Sequence, residues 1–276
     1  MADADQAGTA FREGRLDDAV AAASAAVKAK PTDLAARVRL AEMLLLAGNL
    51  ERADVLLDAA GQLDPSASLI VAEFRQLLRA DMARRQLFRD GRVPEFLDTP
   101  SSAEQHLLAC LVAMRAGDYP AAAEAATAAE AARAVTPGIH EGGPAGHVTF
   151  DDFRDASDDL GGVLEILTTT GKYYWIPLSR IDEITFHKPM RPRDLAWRRA
   201  SISVNQGPDG DVYVPATYFS DDAARGAALG AAYRLGRATD WLDHDGVVTG
   251  VGQREFLVGD ASVPIMELST LRFGPK

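Results

Sequence analysis

The sequence predicts an α+β protein, helical in its first half and built of antiparallel strands in its second. Three observations carry that prediction. Residues 2–135 are dense in Ala, Leu, Arg and Glu, all good helix formers. From Phe150 onward the apolar residues are β-branched or aromatic and come in short runs between turn-forming residues. Between the two lies a stretch, 136–146, rich in Gly and Pro.

At 276 residues the chain is long enough for two cores. Its net charge is −11, the acidic excess falls in both halves, and no basic stripe interrupts it. A nucleic-acid backbone or an anionic membrane surface is therefore not an expected partner. The one cysteine, Cys110, leaves no intramolecular disulfide to form. It reads as a small packed hydrophobe, since no electropositive neighbourhood would activate its thiol. No basic-then-apolar leader and no run near the ~18 apolar residues of a membrane span is visible, so a cytoplasmic location is expected.

The first half repeats. Gly14 recurs as Gly48, Leu16 as Leu50, Ala19 as Ala53 and Pro31 as Pro65, each pair 34 residues apart. That is the tetratricopeptide period, one helix–turn–helix per repeat. The glycines suit the left-handed turn between helices. Ala7, Ala19 and Ala26, with Ala41, Ala53 and Ala60, suit close helix crossings, and Pro31 and Pro65 stop the second helices. Residues 67–89 read as one long helix with an apolar face of Leu69, Phe74, Leu77, Leu78, Met82 and Leu87. Arg84, Arg85 and Arg89 are expected on its solvated face. Gly91 and Pro94 break it, and 99–102 caps the next helix. A third unit covers 104–135, with Gly117 at its turn and Ala122 and Ala129 in the small positions. Stacked repeats leave a concave face, and Phe11, Val38, Glu42 and Leu45 are expected to line it as a groove for a helix or extended peptide.

The expected organisation is a helical repeat unit over 1–135, a Gly/Pro-rich junction over 136–149 free of helix and strand, and a compact, barrel-like β-rich unit over 150–276. His140 and His147 lie near the junction without a third ligand, so no metal site is predicted. In the β-rich unit, 163–169 and 172–178 predict a hairpin, and 181–187 a further strand. Residues 202–205 and 211–214 predict a second hairpin, and 247–258 with 263–273 a third. The Ala-rich 223–233 predicts a short inserted helix.

Charged candidates for chemistry are Asp158, Asp159, Glu165, His187, Asp194, Arg237, Asp240 and His244. Neighbours in a loop, Asp158 and Asp159 diverge more readily than they converge. There is no Gly-x-Ser-x-Gly elbow and no phosphate-binding glycine loop. Gly250 and Gly252 mark a bulge or a close backbone approach instead. Arg237, Asp240 and Asp194 are expected to form an Arg–carboxylate pin for the sheet. Trp175, Trp197 and Trp241 are expected in its core or in a recognition pocket. No catalytic residue, cofactor or metal is assigned. A hydrolase using Arg237, Asp240 and His244 is the enzyme alternative, and it requires those three in one open cleft.

The blocks Tyr174-Trp175-Ile176-Pro177, Asp194-Leu195 with Trp197, Gly236-Arg237-Ala238-Thr239-Asp240-Trp241 and Gly252-Gln253-Arg254 follow in fixed order. In that order and spacing they resemble the second half of the ImpE/TagJ (SciE-type) family of type VI secretion accessory proteins. The resemblance is strongest over 158–273. It implies a helical repeat followed by a β-rich part, a non-enzymatic cytoplasmic role, and binding to the N-terminal helix of the small contractile-sheath subunit. It also implies a link to the AAA+ unfoldase that dismantles contracted sheath. A tetratricopeptide scaffold or co-chaperone unrelated to secretion is the alternative among binding proteins.

Overall fold

A computed structural model describes residues 2–63, 68–143, 146–220 and 229–274. Two helical hairpins open the chain: α1 (Ala2–Arg12) with α2 (Leu16–Ala29), and α3 (Leu34–Leu46) with α4 (Leu50–Leu63). Gly14 and Gly48 turn each hairpin at φ +79° and +82°, a backbone that glycine adopts without steric cost. Ala7, Ala19, Ala41, Ala53 and Ala60 are buried, so the backbones approach closely; Ala26 is half-buried. Asp33 caps α3 by accepting from the Ala36 amide at 3.0 Å. Pro65, expected to stop α4, lies outside the described residues, as do 221–228 of the Ala-rich segment. The rest of that segment holds one helical turn, Ala231–Arg234.

The long helix is α5 (Ser68–Asp90). Phe74, Leu77, Leu78 and Leu87 are buried along it, Met82 is half-buried, and Leu69 is exposed rather than part of the apolar face. Then come α6 (Ser102–Ala116) and α7 (Tyr119–Ala132). Ser101 and Glu104 form a reciprocal capping box at the start of α6, and Gly117 ends it at φ +71°. Cys110 is fully buried on α6; burial pushes its thiol up to about 12, with the nearby Asp159 and Asp158 adding to the effect.

Strands follow: β1 (Gly138–Gly143), β2 (Gly146–Phe150), β3 (Phe153–Asp155), β4 (Val163–Leu167), β5 (Tyr173–Pro177), β6 (Ile181–Phe186), β7 (Trp197–Val204) and β8 (Gly210–Pro215). After the helical turn come β9 (Thr239–Asp243), β10 (Val248–Gly252), β11 (Glu255–Val258), β12 (Ala261–Pro264) and β13 (Thr270–Phe273). Eight of them form an antiparallel sheet in the order β2-β1-β13-β6-β7-β8-β4-β5. It is open, with β2 and β5 at its ends, rather than closed into a barrel. Smaller sheets are β12-β11-β3 and β10-β9.

Two expectations are corrected here. The 136–149 junction is not free of strand: β1 and β2 occupy most of it. Its glycines are pairing devices, since a Cβ at Gly138 would strike the Arg272 carbonyl and the Phe150 ring. The predicted third hairpin is split as well. Residues 247–258 break at Gly252 (φ +85°), where a Cβ would strike the Ala238 carbonyl. The first piece pairs with β9, the second joins the three-stranded sheet, and β13 crosses to the large sheet.

The compositional boundary at 135 is not a gap in packing. One apolar cluster contains Leu45, Phe74 and Leu77 from the helices together with Trp175, Trp197, Tyr213 and Tyr218 from the second half. A second cluster, with Ile184, Ile202, Phe256 and Leu271, lies within the strands. The loop after α5 also covers the free edge of β5. The Glu95 amide donates to the Tyr173 carbonyl (2.9 Å), and the Trp175 amide to the Glu95 carbonyl (3.0 Å).

Candidate functional site

β4 reads Val163-Leu164-Glu165-Ile166-Leu167, and all five residues are buried. An ionised carboxylate in such a strand must be paired, because taking it out of water alone is too costly. Arg84 of α5 supplies the pair with a fork, Nε to Oε1 at 2.8 Å and Nη2 to Oε2 at 3.0 Å. The Tyr173 hydroxyl donates to Oε1 at 2.5 Å and itself accepts from the Trp175 indole at 2.6 Å. Arg254 places Nη1 3.0 Å from Oε2. Its Nε donates to Asp155 at 2.6 Å, and the Tyr218 hydroxyl donates to the other Asp155 oxygen at 3.0 Å. Two arginines and two carboxylates thus cancel in charge inside the protein. Burial pushes Glu165 up, but Arg84 and Arg254 outweigh it and hold the carboxyl below its ordinary range. Arg84 is therefore buried at the junction of the halves, not on a solvated face.

This network explains much of the recurring motif. Trp175 and Arg254 are fully buried members of it; Tyr174 and Pro177, on β5 beside them, are half-buried. Trp197 packs edge-on against Phe74, ring centres 5.9 Å apart, and the Arg193 guanidinium lies over the same Phe74 ring at 4.7 Å. Asp194 accepts from the Met190 and Arg191 amides at 2.7 and 3.0 Å and so shapes the loop, with Leu195 packed against the shared core. Thr239 donates to the Gln253 carbonyl at 2.9 Å, and the Gln253 amide donates to the Gly236 carbonyl.

The expected Arg237–Asp240–Asp194 pin is not formed. Arg237 is exposed and donates to the Phe11 and Arg12 carbonyls at 2.9 and 3.1 Å, closing the end of α1. Asp240 accepts from the Trp241 amide at 2.9 Å. His244 bonds Thr249 at 3.2 Å and lies against the Tyr119 ring. Arg237, Asp240 and His244 share no partner, so the cleft that a hydrolase needs is not assembled from them. Of the tryptophans, Trp175 and Trp197 are core, while Trp241 is 36% exposed against Tyr218.

The expected groove is covered by the protein itself. Leu45 is buried in the common core, and α3 packs on the turn that carries Arg193 and Asp194. Glu42 is buried there too; burial pushes its carboxyl up to about 7, Arg193 opposing and Asp194 reinforcing. Val38 is half-buried against the same core, and Phe11 lies under the Arg237 guanidinium at 5.8 Å.

An open cavity of about 420 Å³ remains between α5, α6 and the β9–β10 hairpin. Phe88, Leu111 and Met114 line one side, Phe219, Leu242 and Val251 another, and Ser157 and Asp159 also reach it. Among the described residues, no group of three or more His, Cys, Asp or Glu is placed to hold a metal. No helix among them is long and apolar enough to cross a membrane. Sequence reading missed the roles of Arg84, Asp155 and Tyr173. One signal was present: a lone Glu in the middle of an otherwise apolar strand requires a buried cation.

Known proteins extend this picture. The ImpE protein family matches residues 147–272, and the tetratricopeptide repeat matches residues 10–73. The chain is 32% identical to the type VI secretion system accessory component TagJ of Pseudomonas aeruginosa, over 96% of this chain and 90% of that protein. A crystal structure of a Vibrio parahaemolyticus protein superposes with a TM-score of 0.89 at 27% identity, covering 98% of each chain. With that likeness running through helices and strands alike, the chain belongs to the ImpE/TagJ family of type VI secretion accessory proteins.

Proposed function

We propose that the chain serves a type VI secretion system from the cytoplasm as a non-catalytic adaptor. It binds the N-terminal helix of the small contractile-sheath subunit and works with the AAA+ unfoldase that dismantles contracted sheath. The observation that carries the accessory role is the 32% identity to TagJ across 96% of the chain. Two structural features support a binding rather than a catalytic role. The charged residues of the family blocks are held by the protein's own groups, Arg254 by Asp155, Arg237 by backbone carbonyls, and Asp194 and Asp240 by backbone amides, which leaves few of them for a substrate. The shared core joins repeat and sheet into one body, which loses little conformational freedom when a partner docks.

The test is titration of the full chain with a synthetic peptide of the sheath subunit's N-terminal helix, followed by calorimetry. Saturable binding tighter than ~100 µM is expected, since anything weaker amounts to less than about 6 kcal/mol of affinity. No heat of binding at that concentration removes the proposed ligand, though it leaves the family assignment intact.

A further inference from the structure

The cavity between α5, α6 and the β9–β10 hairpin contains a group that the frame does not use. Asp159 is 8% exposed. Its one side-chain partner is the Ser157 hydroxyl, at 2.5 Å, and that serine in turn accepts from the Gly250 amide at 3.2 Å. Among the described residues, no basic side chain pairs with Asp159. Its charged surroundings are unfavourable: Asp155 and Glu165 both raise it, and burial raises it most, to about 7. Neighbouring Asp158 is taken by Arg154 at 2.9 Å and by the Val248 amide at 2.8 Å. A second polar atom at the cavity wall, the Ser220 hydroxyl oxygen, is buried without a hydrogen-bond partner. Buried polar groups are ordinarily satisfied, so the unpartnered Ser220 hydroxyl and, on the same cavity, a buried carboxylate whose side-chain partner is neutral point to a ligand that completes both.

The remaining charges facing the cavity decide the sign of that ligand. Arg89 and Arg115 line it, but both are exposed, where water screens them. Arg115 donates to the Leu87 carbonyl at 2.9 Å, and the Arg89 guanidinium lies over the Phe219 ring at 5.6 Å. His244 is bonded to Thr249, and the Tyr218 hydroxyl is committed to Asp155. Cys110, close enough to feel Asp159, is buried and protonated. Among the described residues that line the cavity, the one buried charged side chain is therefore an acid, Asp159, set beside apolar walls.

We propose that this cavity receives a primary ammonium on an apolar chain, the lysine side chain of a partner polypeptide, with Asp159 as its counter-ion. The apolar walls take the four-carbon stem, as they would any lysine stem laid along apolar surface. Asp159 and Ser220 meet the ammonium, which carries three donors and no acceptor. The proposal rests on reading the chain as a binding protein. It does not depend on the sheath helix being the segment that supplies the lysine.

The probe is n-butylammonium, the lysine side chain alone, compared with n-butanol, which has the same stem and no charge. Binding to the full chain is read from the Met114 methyl resonance at the cavity wall. At pH 8 the ammonium is expected to bind at least about tenfold more tightly than the alcohol, an ordinary gain for a charge-assisted contact. The preference is expected to fade below pH 7 as Asp159 takes up a proton, and to vanish in Asp159→Asn. That variant changes one of many acidic charges, so a preference caused by overall charge survives it. Equal binding of ammonium and alcohol by the wild type overturns the proposal, and so does a preference that survives Asp159→Asn. Because neither arm uses the sheath helix, failure of that helix to bind leaves the result unaffected.

Discussion

Glu165 and Asp159 are two buried carboxylates six positions apart in the chain, and their surroundings are opposite. Glu165 meets two arginines and a tyrosine hydroxyl and is held below its ordinary range. Asp159 meets one serine and is pushed up to about 7. The first belongs to a network of buried side chains in which each carboxylate faces an arginine. The second lies on a cavity wall whose arginines, Arg89 and Arg115, are exposed, and among the described residues no basic side chain pairs with it. Both belong to a stretch rich in charge, but only the unpaired one is placed to recognise something. Within the family's characteristic region, then, the residues that stand out in the sequence mostly build the frame, and the recognition chemistry falls to a less conspicuous neighbour.

The sharpest way to break that comparison is to unpair Glu165. Glu165→Gln keeps the shape but removes the carboxylate that Arg84 and Arg254 share, leaving Arg254 with Asp155 and Arg84 with only the more distant Asp81, 4.0 Å away. Removing one partner of a buried ion pair costs about 3–5 kcal/mol. Urea unfolding is expected to show that loss. It should also show it in a single transition of helix and strand signals, because Arg84 belongs to the repeat and Glu165 to the sheet. A loss under ~1 kcal/mol, or two separated transitions, means that the network does not hold the halves together.

The repeat was legible because each of its devices is local. Gly14 and Gly48 must turn left-handed, alanines must lie where helices cross, and both constraints recur at a fixed interval. Strands β4 to β8 were legible for the same reason, their alternation and turns lying within a few residues of each other. The site was not. Arg84 and Glu165 are 81 positions apart, and Arg84 sits in an Arg-Arg pair whose twin, Arg85, is half-exposed, so the sequence places both on one solvated face. The strand character of 138–143 was hidden because glycines that oppose an isolated strand are required where neighbouring strands approach closely. The groove was misplaced because nothing in the period says that another part of the same chain packs on Leu45 and Glu42.

A smaller effect comes from relieving Asp159. Its folded-state carboxyl titrates at about 7, above the ordinary range, and burial is the main cause. The stability associated with the protonated form is complete below the ordinary carboxylate range and is lost as pH rises through about 7. Asp159→Asn has no such loss. The variant is therefore expected to match the wild type near pH 4 and to exceed it by ~1–2 kcal/mol at pH 8, a discounted share of the ~1.4 kcal/mol that each tenfold change in proton affinity represents. Parallel stability–pH curves for the two proteins are the outcome that breaks the contrast with Glu165, whose replacement must destabilise at both ends of that range.

Arg237 is expected to give the smallest effect, although it sits in the block that most identifies the family. Its guanidinium is exposed and bonds only the carbonyls at the end of α1, with the Phe11 ring beneath it. Capping of this kind at a surface helix end is worth about 0.3–1 kcal/mol, and water screens its charge. Arg237→Ala is expected to lower Tm by a few degrees at most and to increase amide exchange in α1 while leaving β9 and β10 unchanged. Loss of strand protection in that variant restores the pin that the sequence suggested. Loss of binding to the sheath-subunit helix with Tm unchanged assigns Arg237 to recognition instead, and puts the docking face for that helix at the end of α1.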